Sequence, residues 1–195
     1  MPVLIAIADV RDRISRAQDD SDVAYFYELL NAGELATKVA VAALVACLEP
    51  DRERHRYRLE YDLVRSDGLG GWVAALEDCL TGPASQVLAE DARELQKELT
   101  QGLRARDGAW GTEAVARLHD ARRTIDADLE ALPTKIAVRR WFADFTALRN
   151  RTRGHGATTP ATCSRAAPLL RDAVDMLLQN LSIFQLPCLD RAARA

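Results

Sequence analysis

Between residues 136 and 148, apolar side chains recur every three or four positions: Val138, Trp141, Phe142, Phe145 and Leu148. Arg139, Arg140 and Asp144 fall on the other faces. A period of 3.6 residues belongs to an α-helix with one buried stripe. The same spacing returns in Leu169, Leu170, Val174, Leu177, Leu178, Leu181 and Phe184. Both stripes need apolar partners, and the remaining sequence is suited to supply them as helices. Ala, Leu, Glu and Arg dominate it, while Ile, Thr, Phe and Tyr are sparse. At 195 residues and 48% hydrophobic content the chain can bury a substantial core. The expected fold class is all-α, a bundle of long antiparallel helices with additional shorter ones, formed as one domain over residues 1–195.

The partner helices can be followed along the chain. Leu4, Ile7, Ala8, Val10 and Ile14 predict a first amphipathic helix over about 4–17. Asp20, Ser21 and Asp22 offer N-cap side chains for a second, which carries Val23, Phe26, Leu30, Leu35, Val39, Leu44 and Leu48 as far as Pro50, with Gly33 a candidate break. Tyr25, Tyr27, Glu34 and Lys38 on it are candidates to line a cleft, although surface positions on a core helix explain them more simply. From Asp51 to Asp67, Arg52, Arg54, Arg56 and Arg58 alternate with acids and aromatics. Tyr57, Tyr61 and Val64 share a helical face with Arg54, and Arg56–Glu60 and Arg58–Asp62 are spaced for i,i+4 pairing. This predicts a salt-bridged outer helix with His55 solvated.

Gly68, Gly70 and Gly71 mark a turn and lack the lysine of a phosphate loop. Short helices are expected through Trp72, Leu76 and Leu80 and from about 89 to 101, then an exposed loop over 102–111. A long helix over about 112–132 follows, with Val115, Leu118, Ile125, Leu129 and Leu132 inward and His119 packed beside them. Pro168 sets the last helix to begin either near Ala161 with a kink or within a turn of Pro168. No internal repeat is evident.

Charge is distributed unevenly. The chain carries −3 formally, yet from Lys135 to Arg171 eight basic residues face the single acid Asp144, so this window is net +7 and the remainder −10. A local basic region on an acidic protein suits a phosphate-bearing partner. Cys47, Cys79, Cys163 and Cys188 lie far apart with no histidine at ligand spacing, which indicates neither a metal site nor a disulfide framework. Val3–Ala8 is too short for a signal core, and the apolar run Val39–Leu48 is about half a spanning helix. A cytoplasmic protein without membrane contact is expected.

At the centre of the basic window, between the two clean stripes, stands Leu148-Arg149-Asn150-Arg151-Thr152-Arg153-Gly154-His155-Gly156. An arginine followed by a polar residue, with a histidine six positions after the arginine, resembles the motif of the HEPN superfamily, many of whose members are metal-independent ribonucleases. The resemblance implies a helical bundle with the motif at a junction near the last core helix, and two protomers whose motifs meet in one composite cleft. It also implies no cofactor. Arg149, Asn150 and His155 would be the catalytic residues. One subgroup with an antitoxin partner has tyrosine two residues after the histidine, where this chain has Ala157. The run is also similar to those of bacterial HEPN domains attached to larger signalling or defence proteins, which implies a toxin or antiphage role and a fused or separate regulatory domain.

The residue types suit that chemistry on their own terms. In cleavage of RNA by its own 2′-hydroxyl, a base removes the hydroxyl proton, the oxygen attacks the adjacent phosphorus in line, and an acid protonates the leaving 5′-oxygen. Near neutral pH histidine serves in either protonation state, which makes His155 the candidate acid or base. Arg149 offers a permanent charge and a planar fork for two phosphoryl oxygens. Asn150 can hold the phosphate or orient the imidazole, and Arg151, Arg153, Arg139 and Arg140 can bind flanking phosphates. The same basic residues also complement a helix C-terminus, where Gly154 is a good left-handed terminator. A non-catalytic helical sensor or dimerisation module that binds RNA, nucleotide or a partner domain is therefore the alternative.

Overall fold

The computed structural model describes residues 2–154 and 158–184. Among the described residues eight α-helices run in the order α1 (Pro2–Asp20), α2 (Asp22–Ala46), α3 (His55–Arg65), α4 (Leu69–Thr81), α5 (Arg93–Thr100), α6 (Trp110–Arg123), α7 (Arg139–Arg149) and α8 (Pro160–Asn180). The fold is all-α. The strands among the described residues are β1 (Leu103–Arg104) and β2 (Lys135–Ile136), an antiparallel pair with Leu103 opposite Ile136.

Helix α2 is the central member, packed against α1, α4, α7 and α8. The Ser21 side chain caps its first turn by accepting from the Ala24 N–H, and Gly33 does not break it. Its 25 residues are long and apolar enough to cross a membrane by length and composition, and 13 of them are buried within the bundle. The expected second helix is thus one continuous core helix, and the apolar run that starts at Val39 is its second half. Gly33 has a packing role. A Cβ there would lie 2.2 Å from the Phe145 ring, so the missing side chain lets α7 cross close to α2. Phe145 itself stacks on Trp141 at 5.1 Å between centroids, and both are fully buried.

Two sequence expectations are corrected, over 112–132 and 102–111, and the start of the last helix falls at the earlier of its two expected places. The helix expected over 112–132 ends at Arg123, where Thr124 donates its hydroxyl to the Ala121 carbonyl. Ile125 and Leu132 still pack against the core, but from an irregular segment. Pro133 disfavours helix at Leu132, and Asp126 and Asp128 are residue types of low helix propensity. The loop expected over 102–111 instead holds β1 and the start of α6. Helix α8 begins at Pro160 in its first turn, with Thr159 as N-cap accepting from the Thr162 N–H, and Pro168 is carried inside it.

Candidate functional site

Helix α7 does not stop cleanly at Arg149. The chain widens into a π-helical turn over Asn150–Gly154, a local irregularity that is frequent at functional sites. Thr152 is buried in this turn and donates its hydroxyl to the carbonyls of Leu148 at 3.0 Å and Arg149 at 3.2 Å. With Thr152 fixed inward, Arg149 and Arg153 both reach α2, and Arg151 is exposed on the side of α6.

On α2 the receiving residues are Tyr27, Asn31, Glu34 and Lys38, spaced along one helical face. The Glu34 carboxylate accepts from Lys38 at 2.8 Å, lies 3.4 Å from the Arg149 Nε, and lies 3.9 Å from an Arg153 terminal nitrogen. The Arg149 Nε is sheltered from solvent and meets Glu34 as an ion pair, without the alignment of a hydrogen bond. Arg153 also donates to the Asn31 Oδ1 at 2.6 Å and lies over the Tyr27 ring at 5.7 Å. Asn31 is oriented for this by donating to Glu28 at 3.0 Å. Asn150 presents its Oδ1 3.5 Å from an Arg149 terminal nitrogen.

Three cations therefore converge on one carboxylate and leave a local surplus of two positive charges. Partial burial opposes ionisation of Glu34, but Lys38, Arg149 and Arg153 together hold its carboxyl below the usual range. A carboxylate in that state orients the arginines without cancelling them. The side chains of Arg149 and Arg153 remain about one-quarter and one-third exposed, which leaves room for an anion to reach them.

His155 lies outside the described residues. Its described neighbours dock on the same side chain: Arg153 lies over the Tyr27 ring, and the Thr158 hydroxyl is 3.2 Å from the Tyr27 hydroxyl. Arg139 and Arg140 are placed elsewhere. Arg139 pairs with Glu77 on α4, and Arg140 pairs with Asp144 at 3.2 Å. Asp144 is itself buried, contrary to its expected outward position, because it also pairs with Arg122 on α6. Of the eight basic residues in the window, Arg139, Arg140, Arg149, Arg153 and Arg171 have ion-pair partners. Lys135, Arg151 and Arg165 have none among the described residues. The basic surface is thus narrower than its sequence suggests.

No family model, curated protein or solved structure matches this chain. Function must be argued from the geometry. The other histidines belong to structure. His55, expected in solvent, is buried at the start of α3, where the Asp51 carboxylate accepts its backbone N–H at 3.1 Å and lies 2.8 Å from its Nδ1. His119 is buried beside the Asp144 network, where loss of hydration lowers its pKa against the opposing pull of Asp144. Among the described residues, no group of three His, Cys, Asp or Glu side chains is placed to hold a metal ion.

Sequence reasoning did not connect Glu34 and Lys38 to the motif, and it missed Asn31. The successive steps of four, three and four residues from Tyr27 through Asn31 and Glu34 to Lys38 are visible in the sequence, but their opposition to Arg149 and Arg153 depends on a helix crossing more than a hundred residues later.

Proposed function

We propose that this protein is a metal-independent endoribonuclease of the HEPN type, cytoplasmic, acting on single-stranded RNA as a homodimer in a toxin or antiphage system. The observation that carries the proposal is the convergence of Lys38, Arg149 and Arg153 on Glu34. It creates a fixed, partly exposed surplus of positive charge at the arginine-to-histidine motif.

Each described group has a task that follows from its position. Arg149, steadied by Glu34 and Asn150, holds the phosphoryl oxygens as negative charge builds on them. Arg153, braced by Asn31 and Tyr27, binds a flanking phosphate. Arg151, on the α6 side, binds a more distant part of the strand. Glu34 and Asn31 are positioning residues, because they act through the arginines. His155 moves the proton to or from the 2′-hydroxyl or the leaving 5′-oxygen. A second protomer completes the cleft with its own motif, as the HEPN resemblance implies.

The test is cleavage of an RNA oligonucleotide in EDTA, compared with the same oligonucleotide carrying one 2′-deoxyribose at the cut position. Products with 2′,3′-cyclic phosphate ends, loss of cutting at the deoxy position and loss of activity in His155→Ala are expected. Cutting that persists at the deoxy position rules out attack by the 2′-hydroxyl. The alternative, a non-catalytic binding module, predicts salt-dependent RNA binding with no products.

A further inference from the structure

Among the described residues, the exposed large hydrophobic side chains are Tyr57, Tyr61 and Val64, at 64%, 49% and 88% exposure. All three stand on α3, spaced i, i+4 and i+7, so they form one apolar stripe on an otherwise charged helix. The two tyrosine rings stack at 6.5 Å, and Arg65 lies over Tyr61 at 5.2 Å while donating to its hydroxyl at 2.7 Å. The stripe is thus held in a defined shape. Tyrosine and arginine on a fixed surface are the side chains that most often anchor protein interfaces.

Charge identifies the occupant. Arg56 is paired with Glu60 and Arg58 with Asp78, while the Asp51 and Glu53 carboxylates lie 2.8 and 3.3 Å from the His55 ring. Among the described residues, the charges of this stretch left without an ion-pair partner are Arg52 and Arg54 before the helix and Asp62 and Asp67 toward or beyond its end. Arg65 rests on Tyr61. Counted over 51–58 the stretch is net +2, and over 59–67 it is net −2. A nucleic acid would meet no surplus of positive charge here. A second copy of α3 running antiparallel would meet the opposite sign at each end.

We propose that α3 is a self-docking surface through which two copies of this chain associate about a two-fold axis near Tyr61. In an antiparallel pair centred there, Tyr57 of one copy lies level with Val64 of the other, and Arg54 lies level with Asp67. Beside Val64 runs a groove of about 470 Å³, walled by Ala42, Val45, Leu63 and Trp72 and edged by the Arg56–Glu60 pair, which receives the Tyr57 ring with its hydroxyl toward that pair. Symmetry makes the contact twice. The groove meets α2 at residues 42–46, eight to twelve positions beyond Glu34, or about 12–18 Å along the helix axis. Trp72 on the groove wall lies beneath the Lys38 ammonium at 5.9 Å, so the surface borders the cation cluster. It uses neither Arg149 nor Arg153, does not depend on the ribonuclease proposal, and beside a motif-to-motif dimer would carry association past two copies. Helix α3 has 11 residues and is about 16 Å long, so the interface is small and the dimer weak, with a Kd in the micromolar range.

Sedimentation velocity of the full chain across that concentration range tests the proposal. Val64→Asp, at a position that touches little of the core, is expected to raise the dimer Kd by about tenfold or more while leaving the circular dichroism unchanged. Arg54→Asp and Asp67→Arg each weaken association alone. Mixing the two variants, or combining both changes in one chain, restores it, because each then again faces an opposite charge. A native chain that stays monomeric overturns the proposal, as does a dimer indifferent to Val64→Asp or a charge pair without rescue. Protection of Tyr57 and Tyr61 only on adding an RNA oligonucleotide would assign the stripe to nucleic acid and overturn it equally.

Discussion

The arginine-rich stretches 52–58 and 149–153 look alike in sequence, with arginine at every second position, but their counter-charges come from different distances. On α3, Arg56 finds Glu60 one turn away and Arg58 finds Asp78 on the adjacent α4. Acids nearby in the sequence offset the arginines there, and 51–67 carries no net charge. At the end of α7 the nearest acid in sequence is Asp144, which is buried against Arg122 and Arg140. Arg149 and Arg153 must instead share Glu34 with Lys38. A surplus of cations over carboxylates separates a place that can hold a phosphate from one that is merely salt-bridged.

The comparison can be broken first at Asp144. Asp144→Ala removes the acid that occupies Arg122 and Arg140, leaving Arg122 unpaired at a largely buried position and Arg140 unpaired at its edge. A loss of about 3 kcal/mol in urea unfolding is expected. A loss below about 1 kcal/mol would mean that the network contributes little. Next is the crossing that brings α7 to Glu34. Gly33→Ala drives a methyl group into the buried Phe145 ring, and a destabilisation of about 1–3 kcal/mol by thermal unfolding is expected.

His119 gives a smaller, pH-dependent effect. Its folded pKa lies below 6.5, so as pH falls through 6.5 the unfolded chain takes up the proton first. Stability therefore declines on acidification until the folded imidazole also protonates. The slope is at most about 1.4 kcal/mol per pH unit, and His119→Gln is expected to flatten it. The smallest effect belongs to α3. Arg56→Ala breaks an exposed pair and is expected to change stability by no more than about 0.5 kcal/mol, with RNA turnover unaltered.

The stripes through Val138–Leu148 and Val23–Leu48 revealed core helices because a helix that buries one face must repeat every 3.6 residues. The two-residue strands β1 and β2 are too short to have a period, and nothing local announced their pairing. The end of α6 at Arg123 was obscured because Ile125 and Leu132 keep an apolar register outside the helix. Arg149, Asn150 and Arg153 were legible as a motif. Their dependence on Glu34 was not, since it arises only when Gly33 lets two distant helices touch. Arg58 also shows the limit of local spacing: Asp62 was the expected partner, and Asp78 on the neighbouring helix took its place.

Turnover of single-stranded RNA in EDTA by the native chain and by Arg149→Ala, with Arg56→Ala as the matched control, tests most directly whether surplus charge marks the working site. Native and Arg56→Ala proteins are expected to release cyclic-phosphate ends at equal rates, while Arg149→Ala is slower by about 10²–10³-fold with its helical content intact. Equal rates from all three proteins, or no cleavage by the native chain, would contradict the account.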